Sequence, residues 1–202
     1  SGRHSEVPLG PKASPVVLIY SLPEHMRDCD RIFNIFSLYG NVMRIKLLQR
    51  SAGALVAFED GIQAEGSIIC LNGVRMFGAK LEVDFSKHTF IPAPYSPEDA
   101  ANTRDYANSP NNKFRRQEHW QHIHPPMRTL HFSNGAPSLT EASLAGHLVS
   151  HGAARPTRIR FFEPRGSSRG DRKSGLAEFS DRSATAEAIT LVNNAVVEGF
   201  TL

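Results

Sequence analysis

Two strand-like segments of this 202-residue chain carry rings able to act on flat partners. Tyr20 ends the run Val16-Val17-Leu18-Ile19-Tyr20, and His131 stands midway in Thr129-Leu130-His131-Phe132-Ser133. A phenol or a neutral imidazole on a strand can stack against another ring and still hydrogen-bond its edge. Cations accompany both. Arg44 and Lys46 alternate along Val42 to Leu48, and Arg160 and Phe162 alternate along Arg158 to Phe162. Rings for stacking beside guanidinium and ammonium groups for phosphates are the equipment of nucleic-acid binding. Catalysis has no comparable support: there is no glycine-rich phosphate loop, no paired zinc motif and no serine elbow, so no enzyme is expected. His119, His122 and His124 lie close together, but no cysteine or second cluster stands at ligand spacing. Neither a metal nor a cofactor is expected. Arg169-Gly170-Asp171, beside Arg172 and Lys173, reads as a basic turn facing nucleic acid rather than as an adhesion tripeptide.

The elements that must hold these rings follow from periodicity. Val16 to Tyr20 is a strand, followed by the turn-like Ser21-Leu22-Pro23. Ile32, Ile35, Phe36 and Tyr39 recur at helical spacing within a helix from about Cys29 to Tyr39, stopped by Gly40. Strands follow at Val42 to Leu48, where Met43 and Leu48 blur the alternation, and at Gly53 to Phe58. A helix from about Ile62 to Leu71 ends at Asn72-Gly73, and Leu81, Val83 and Phe85 alternate in a last strand. The order is β-α-β-β-α-β.

It then repeats. Thr129 to Ser133 is a strand, and Thr140 can cap a helix carrying Leu144, Leu148 and Val149. Arg158 to Phe162 and Gly175 to Phe179 are strands, and Asp181 can cap a helix carrying Ala188, Ile189 and Val192. Phe200-Thr201-Leu202 reads as the first residues of a clipped final strand. The expected class is therefore α+β: two ferredoxin-like domains in tandem, each a four-stranded antiparallel sheet with two helices on one face. They occupy residues 14–90 and 127–202, with 91–126 as the linker. That linker is rich in Pro, Asn, Arg and His, yet Tyr95, Tyr106, Phe114 and Trp120 predict that part of it packs on the domains.

On the third strand, Ser51-Ala52-Gly53-Ala54-Leu55-Val56-Ala57-Phe58 resembles the octapeptide of RNA-recognition motifs, basic-Gly-aromatic-small-aromatic-aliphatic-any-aromatic. Alternation sends Ala54, Val56 and Phe58 to the helices and leaves Gly53, Leu55 and Ala57 on the open face, without the two stacking aromatics. The second copy, Arg172-Lys173-Ser174-Gly175-Leu176-Ala177-Glu178-Phe179, has Ser174 and Leu176 at those places. Recognition is thereby expected to fall to Leu18, Tyr20, Arg44, Lys46 and Leu55 in the first domain. In the second it falls to His131, Ser133, Arg160, Phe162, Lys173 and Leu176.

A narrower resemblance lies in the linker. Thr103-Arg104-Asp105-Tyr106-Ala107-Asn108-Ser109-Pro110, Lys113-Phe114-Arg115-Arg116 and Pro125-Pro126-Met127-Arg128-Thr129-Leu130-His131-Phe132-Ser133-Asn134 resemble the last inter-domain linker and following strand of polypyrimidine tract-binding proteins. Phe85-Ser86-Lys87-His88 extends that match. Cys29-Asp30-Arg31-Ile32-Phe33-Asn34-Ile35-Phe36 and Leu38-Tyr39-Gly40-Asn41-Val42 resemble heterogeneous nuclear ribonucleoprotein L. The resemblance implies the last two RNA-recognition motifs of that family, binding CU-rich or CA-rich single-stranded RNA, in control of pre-mRNA splicing or mRNA fate. It implies a nuclear protein, shuttling to the cytoplasm included, with RNA contacts from Ser86, Lys87 and His88. It also implies domains packed through their helices.

Composition agrees with these expectations. Hydrophobic residues at 40% can bury a core, and a net charge of +3 with pI near 9.0 fits an anionic partner. Cys29 and Cys70 are too few for a disulfide framework, so reduced thiols inside a cell are expected. No apolar run approaches the roughly 18 residues that span a bilayer, so no membrane partner is expected. Ser1-Gly2 looks like a cleavage remnant. Phe33, Ile69 and Leu191 are surplus to their helices' own cores, which predicts a helix-to-helix domain interface containing them. The alternative is that Phe33, Ile62 and Ile69 receive a peptide, such as one from a splicing factor.

Overall fold

The computed structural model describes residues 14–114, 123–163 and 172–202. Each helix begins where a short polar side chain takes up the bare N–H groups of the first turn. Asp28 accepts from Asp30 N and Arg31 N ahead of α1 (Cys29–Phe36), Asp60 accepts from Gln63 N ahead of α2 (Gly61–Leu71), and Ser96 accepts from Asp99 N ahead of α3 (Pro97–Asn102). Thr140 and Ser143 form a reciprocal capping box on α4 (Glu141–Ser150), and Asp181 accepts from Ala184 N ahead of α5 (Arg182–Val192). The expected caps at Thr140 and Asp181 are in place. α1 stops at Phe36 rather than Tyr39, because Leu38 N and Tyr39 N bond back only three residues, to Ile35 O and Phe36 O.

The first sheet contains β1 (Val16–Tyr20), β2 (Val42–Leu48), β3 (Gly53–Phe58), β6 (Glu82–Phe85) and β7 (Thr103–Asp105) in the order β6-β1-β3-β2-β7. The first four are the ferredoxin-like set, all antiparallel. The fifth comes from the linker: β7 pairs with β2, Arg44 opposite Asp105 and Lys46 opposite Thr103. The blurred alternation of β2 has a cause. The register shifts between Val42 and Arg44, so Val42 opposes Phe58 while Ile45 opposes Val56, and both reach the core although three residues apart.

β4 (Arg75–Met76) and β5 (Ala79–Lys80) form a small hairpin ahead of β6. The second repeat copies it in β11 (Val196–Val197) and β12 (Phe200–Thr201). Phe77 and Gly78 have φ of 49° and 75°, and Glu198 and Gly199 have φ of 50° and 84°, the successive left-handed pair that a two-residue hairpin turn requires. Phe200-Thr201 is thus the second leg of this hairpin rather than the start of the last sheet strand. The second sheet, among the described residues, is three-stranded: β8 (Thr129–Gly135), β10 (Lys173–Glu178) and β9 (Arg158–Phe161), in the order β8-β10-β9. Gly175 faces its core, where a Cβ would collide with the Arg160 carbonyl and the Phe132 ring.

Each sheet has its own core. Val17, Ile19, Ile32, Ile35, Phe36, Ile45, Val56, Phe58, Leu71 and Val83 fill the first, and Phe132, Leu139, Leu144, Leu148, Ile159, Ala177, Phe179 and Val192 the second. α5 belongs to both. Ala184, Ala188 and Val192 pack into its own domain, while Ala186 and Ile189 join the first core across the contact with α1. Three asparagines stitch this seam. Asn34 Nδ2 donates to Thr190 O (3.0 Å), Asn193 Nδ2 to Asn34 O (2.7 Å) and Asn194 Nδ2 to Asn34 Oδ1 (3.1 Å). Nearby, Phe77 N donates to Glu187 Oε1 at 2.6 Å.

A helix-to-helix interface is therefore present, with different members from those expected. Ile189 and Ala186 supply its apolar part. Leu191 is half-buried against the second core, and Ile69 is 73% exposed on the far side of α2. Phe33 is buried, but its ring stacks on Tyr106 of the linker at 4.3 Å. Of the three surplus apolar residues, Phe33 is covered by the linker, Leu191 by its own core, and Ile69 by nothing among the described residues.

Candidate nucleic-acid interface

The linker is built into the first domain. Tyr106 N donates to Met43 O, and its hydroxyl donates to Asp30 Oδ1 at 2.7 Å, where Arg104 also pairs with Asp30. Burial, then the bond to Asp30, raises the Tyr106 hydroxyl far above an ordinary phenol, so it stays a donor. Asn112 clamps Val42 from both sides, accepting from its N–H and donating to its carbonyl, and Phe114 N donates to Asn41 Oδ1. Tyr106 and Phe114 are buried as expected, whereas Tyr95 is 86% exposed. Trp120, His119, His122, Arg115, Arg116 and Arg169-Gly170-Asp171 lie outside the described residues.

This packing changes the first sheet's outer face. Alternation holds: Leu18 opposes Leu55, and Tyr20, 44% exposed, ends β1. Yet Leu55 and Ala57 are buried, because Ile91 lies on them and on Val16, with Leu18, Met43 and Leu48 around it. Arg44 Nη1 donates to Ile91 O at 2.8 Å and Arg44 Nη2 meets Asp105 Oδ2 at 2.6 Å. The Arg44 guanidinium and the N–H of Ala107 hold the Asp105 carboxyl below its ordinary range. Lys46 Nζ meets Asp99 Oδ1 at 2.6 Å and lies 5.9 Å from the Tyr95 ring centre.

The expected phosphate contacts at Arg44 and Lys46 are corrected accordingly. Both cations are matched by linker carboxylates, and Leu55 is roofed. Ser86 is also buried, its hydroxyl accepting from His88 N at 3.0 Å. Lys87 and His88 are exposed and border a groove of about 480 Å³, floored by Leu48 and Leu55 and walled by Phe90 and Ile91. The groove lies on the face that alternation left open. Ile91, Phe90 and Asp99 show in the sequence only as an apolar pair and an acid in a proline-rich stretch.

Among the described residues, nothing covers the outer face of the second sheet. Leu176 lies between His131 on β8 and Arg160 on β9, so the three share that face, with Ser133 exposed beyond. Phe162, 42% exposed just past β9, stacks on His131 with ring centres 5.7 Å apart and planes inclined by 25°. The aromatics missing from the middle strand are thus replaced by a pair reaching over it from the two neighbours. Burial, then nearby Lys113, lowers the His131 pKa, so the ring is neutral at pH 7 and can stack and accept. Arg160 is exposed, and its guanidinium meets no partner among the described residues. Lys173 is a correction: its amine donates to Leu139 O at 2.7 Å and sits over Phe161, so it serves the fold. Arg172 bonds Asn134 Oδ1 and lies over Phe200.

Residues 3–109 match the family model described as RNA recognition motif, also known as RRM, RBD or RNP domain, and residues 120–201 match a second RRM domain model. Polypyrimidine tract-binding protein homolog 3 of Arabidopsis thaliana is 36% identical over 86% of the chain, and heterogeneous nuclear ribonucleoprotein L of Mus musculus is 35% identical over 92%. The chain spans 38% and 32% of those relatives' own lengths. Among solved structures, the Nab3 RRM, described for cis element recognition of non-polyadenylated RNAs, is 27% identical over 37% of this chain and 96% of its own, with a TM-score of 0.34. Two βαββα repeats, each matched along its length, carry the conclusion: the chain belongs to the RNA-recognition-motif family, in the group of polypyrimidine tract-binding protein and heterogeneous nuclear ribonucleoprotein L.

Proposed function

We propose that the chain binds single-stranded RNA rich in CU or CA on the outer faces of its two sheets, as a nuclear protein acting in pre-mRNA splicing or mRNA fate. The observation that carries this reading is the exposed His131–Phe162 stack beside Leu176 and Arg160, on a sheet face that no described residue covers. A base placed on the stack would have an imidazole nitrogen within reach of its edge and a guanidinium beside its phosphate. Tyr20 is the exposed ring on the first sheet, and Lys87 and His88, which follow β6 at the Val16 end of β1, supply a separate polar border. Fluorescence-anisotropy titration of CU-rich and CA-rich oligomers tests this. Tyr20→Ala, His131→Ala and Phe162→Ala are each expected to weaken binding by roughly 1–3 kcal/mol, the usual worth of a base stack. Unchanged affinity in all three would overturn the sites.

One observation favours a second reading. Ile62 and Ile69, seven residues apart on α2, are 68% and 73% exposed, so an apolar peptide has a face to meet there. Phe33, already covered by Tyr106, is not part of that face. Amide shifts during the RNA titration distinguish the readings, since sheet residues move in the first and none move in the second.

A further inference from the structure

The roof over the first sheet leaves a specific vacancy beside it. Ile91, 5% exposed, occupies the surface of Leu55 and Ala57, the central place on β3 where a base would otherwise lie. Its seat is fixed from below by Arg44, which holds the Ile91 carbonyl while itself held by Asp105 of β7. The residue before it behaves oppositely. Phe90 is 68% exposed and walls the 480 Å³ groove together with Lys87, His88 and Leu48. That volume suits one nucleotide, and the walls supply a ring, an ammonium group without an ion-pair partner among the described residues, and an imidazole. Lys46, also at the groove, has its charge matched by Asp99 and leaves Lys87 as the cation for a phosphate.

We propose that the linker, rather than β3, builds the first domain's second base site: one nucleotide of the bound strand enters the groove, stacks its base on Phe90 and sets its phosphate by Lys87, while Ile91 fills the central sheet position. This rests on the proposed RNA-binding reading and adds to it a site that the strands do not supply. Arg44 is then a positioning residue. It touches no RNA but holds the segment that carries Phe90.

The test uses the whole 202-residue chain and a CU-rich single-stranded oligomer, read by anisotropy and by proton shifts of the bases. Phe90→Ala is expected to weaken binding about ten-fold and to remove the upfield ring-current shift of one base, and Phe90→Tyr to restore both. Phe90 is exposed, so an unchanged thermal unfolding curve is expected alongside. Arg44→Ala is expected to weaken binding and broaden the base shifts at the groove. Arg44→Lys, which cannot span Asp105 and the Ile91 carbonyl together, is expected to recover little. If Tyr20→Ala and His131→Ala weaken binding while Phe90→Ala leaves both readouts unchanged, the linker site is wrong and the RNA-binding reading stands. If no variant changes binding, both fail.

Discussion

His131 is a neutral ring whose pKa is held down by burial, and His147 on α4 is lowered for the same reason, with His151 adding to it. A histidine whose folded pKa lies below its unfolded value stabilises the native state fully above about pH 6.5 and loses that contribution as pH falls toward the folded pKa. The midpoint of thermal unfolding is therefore expected to drop between pH 7.5 and 5.5, and the double variant His131→Gln/His147→Gln to flatten that drop. Calorimetry across the window checks it. A slope that survives both substitutions would place the titrating groups elsewhere. The thiols behave differently: burial pushes Cys29 up to about 11 and raises Cys70, so alkylation of the folded protein at pH 7 is expected to be slow at both.

At the level of elements, β7 and α3 decide which cations are free. Lys46 and Asp99 form a pair whose acid is 8% exposed, so Lys46→Ala strands a buried carboxylate and is expected to cost roughly 1–3 kcal/mol of stability by urea titration. Lys46→Met with Asp99→Leu should recover most of it. Tyr106→Phe removes one bond to Asp30 and is expected to cost about 1 kcal/mol, while Tyr106→Ala also empties the stack on Phe33 and costs roughly 3–5 kcal/mol. Two-residue alternation was enough to place Tyr20, Leu18, His131 and Leu176 on their faces, because that period is a local property of each strand. The bulge at Met43, the three-residue strand Thr103–Asp105 and the roof by Ile91 were not legible, because each depends on a pairing partner distant in sequence. Lys173 was misplaced for the same reason, its carbonyl partner Leu139 being an unpatterned loop residue.

For the molecule as a whole, the contact between α1 and α5 puts helices between the two sheets, so the outer faces look away from each other. A strand of RNA that uses both must pass around the body. Two short CU-rich motifs joined by a long spacer are expected to bind more tightly than the same motifs joined directly, with the gain arising from effective concentration. Ile189→Asp, which puts a charge into the first core's edge, is expected to remove that gain and to let the two repeats tumble separately in NMR relaxation. Equal relaxation in the variant would mean that the asparagine seam alone holds the pair. The presence of two repeats was readable from their shared element order; the double duty of α5 was not, since Ala186 and Ile189 are ordinary helix residues until α1 is placed beside them.

The seam has a consequence in time. Asn34 and Thr190 are 156 residues apart, so during synthesis α1 leaves the ribosome long before the helix that covers it. At roughly 5–20 residues per second, the first repeat waits on the order of ten to thirty seconds with one flank bare. Until then Asn34 has only water for its carbonyl and amide, and that flank is open to whichever chaperone or neighbouring nascent chain reaches it first.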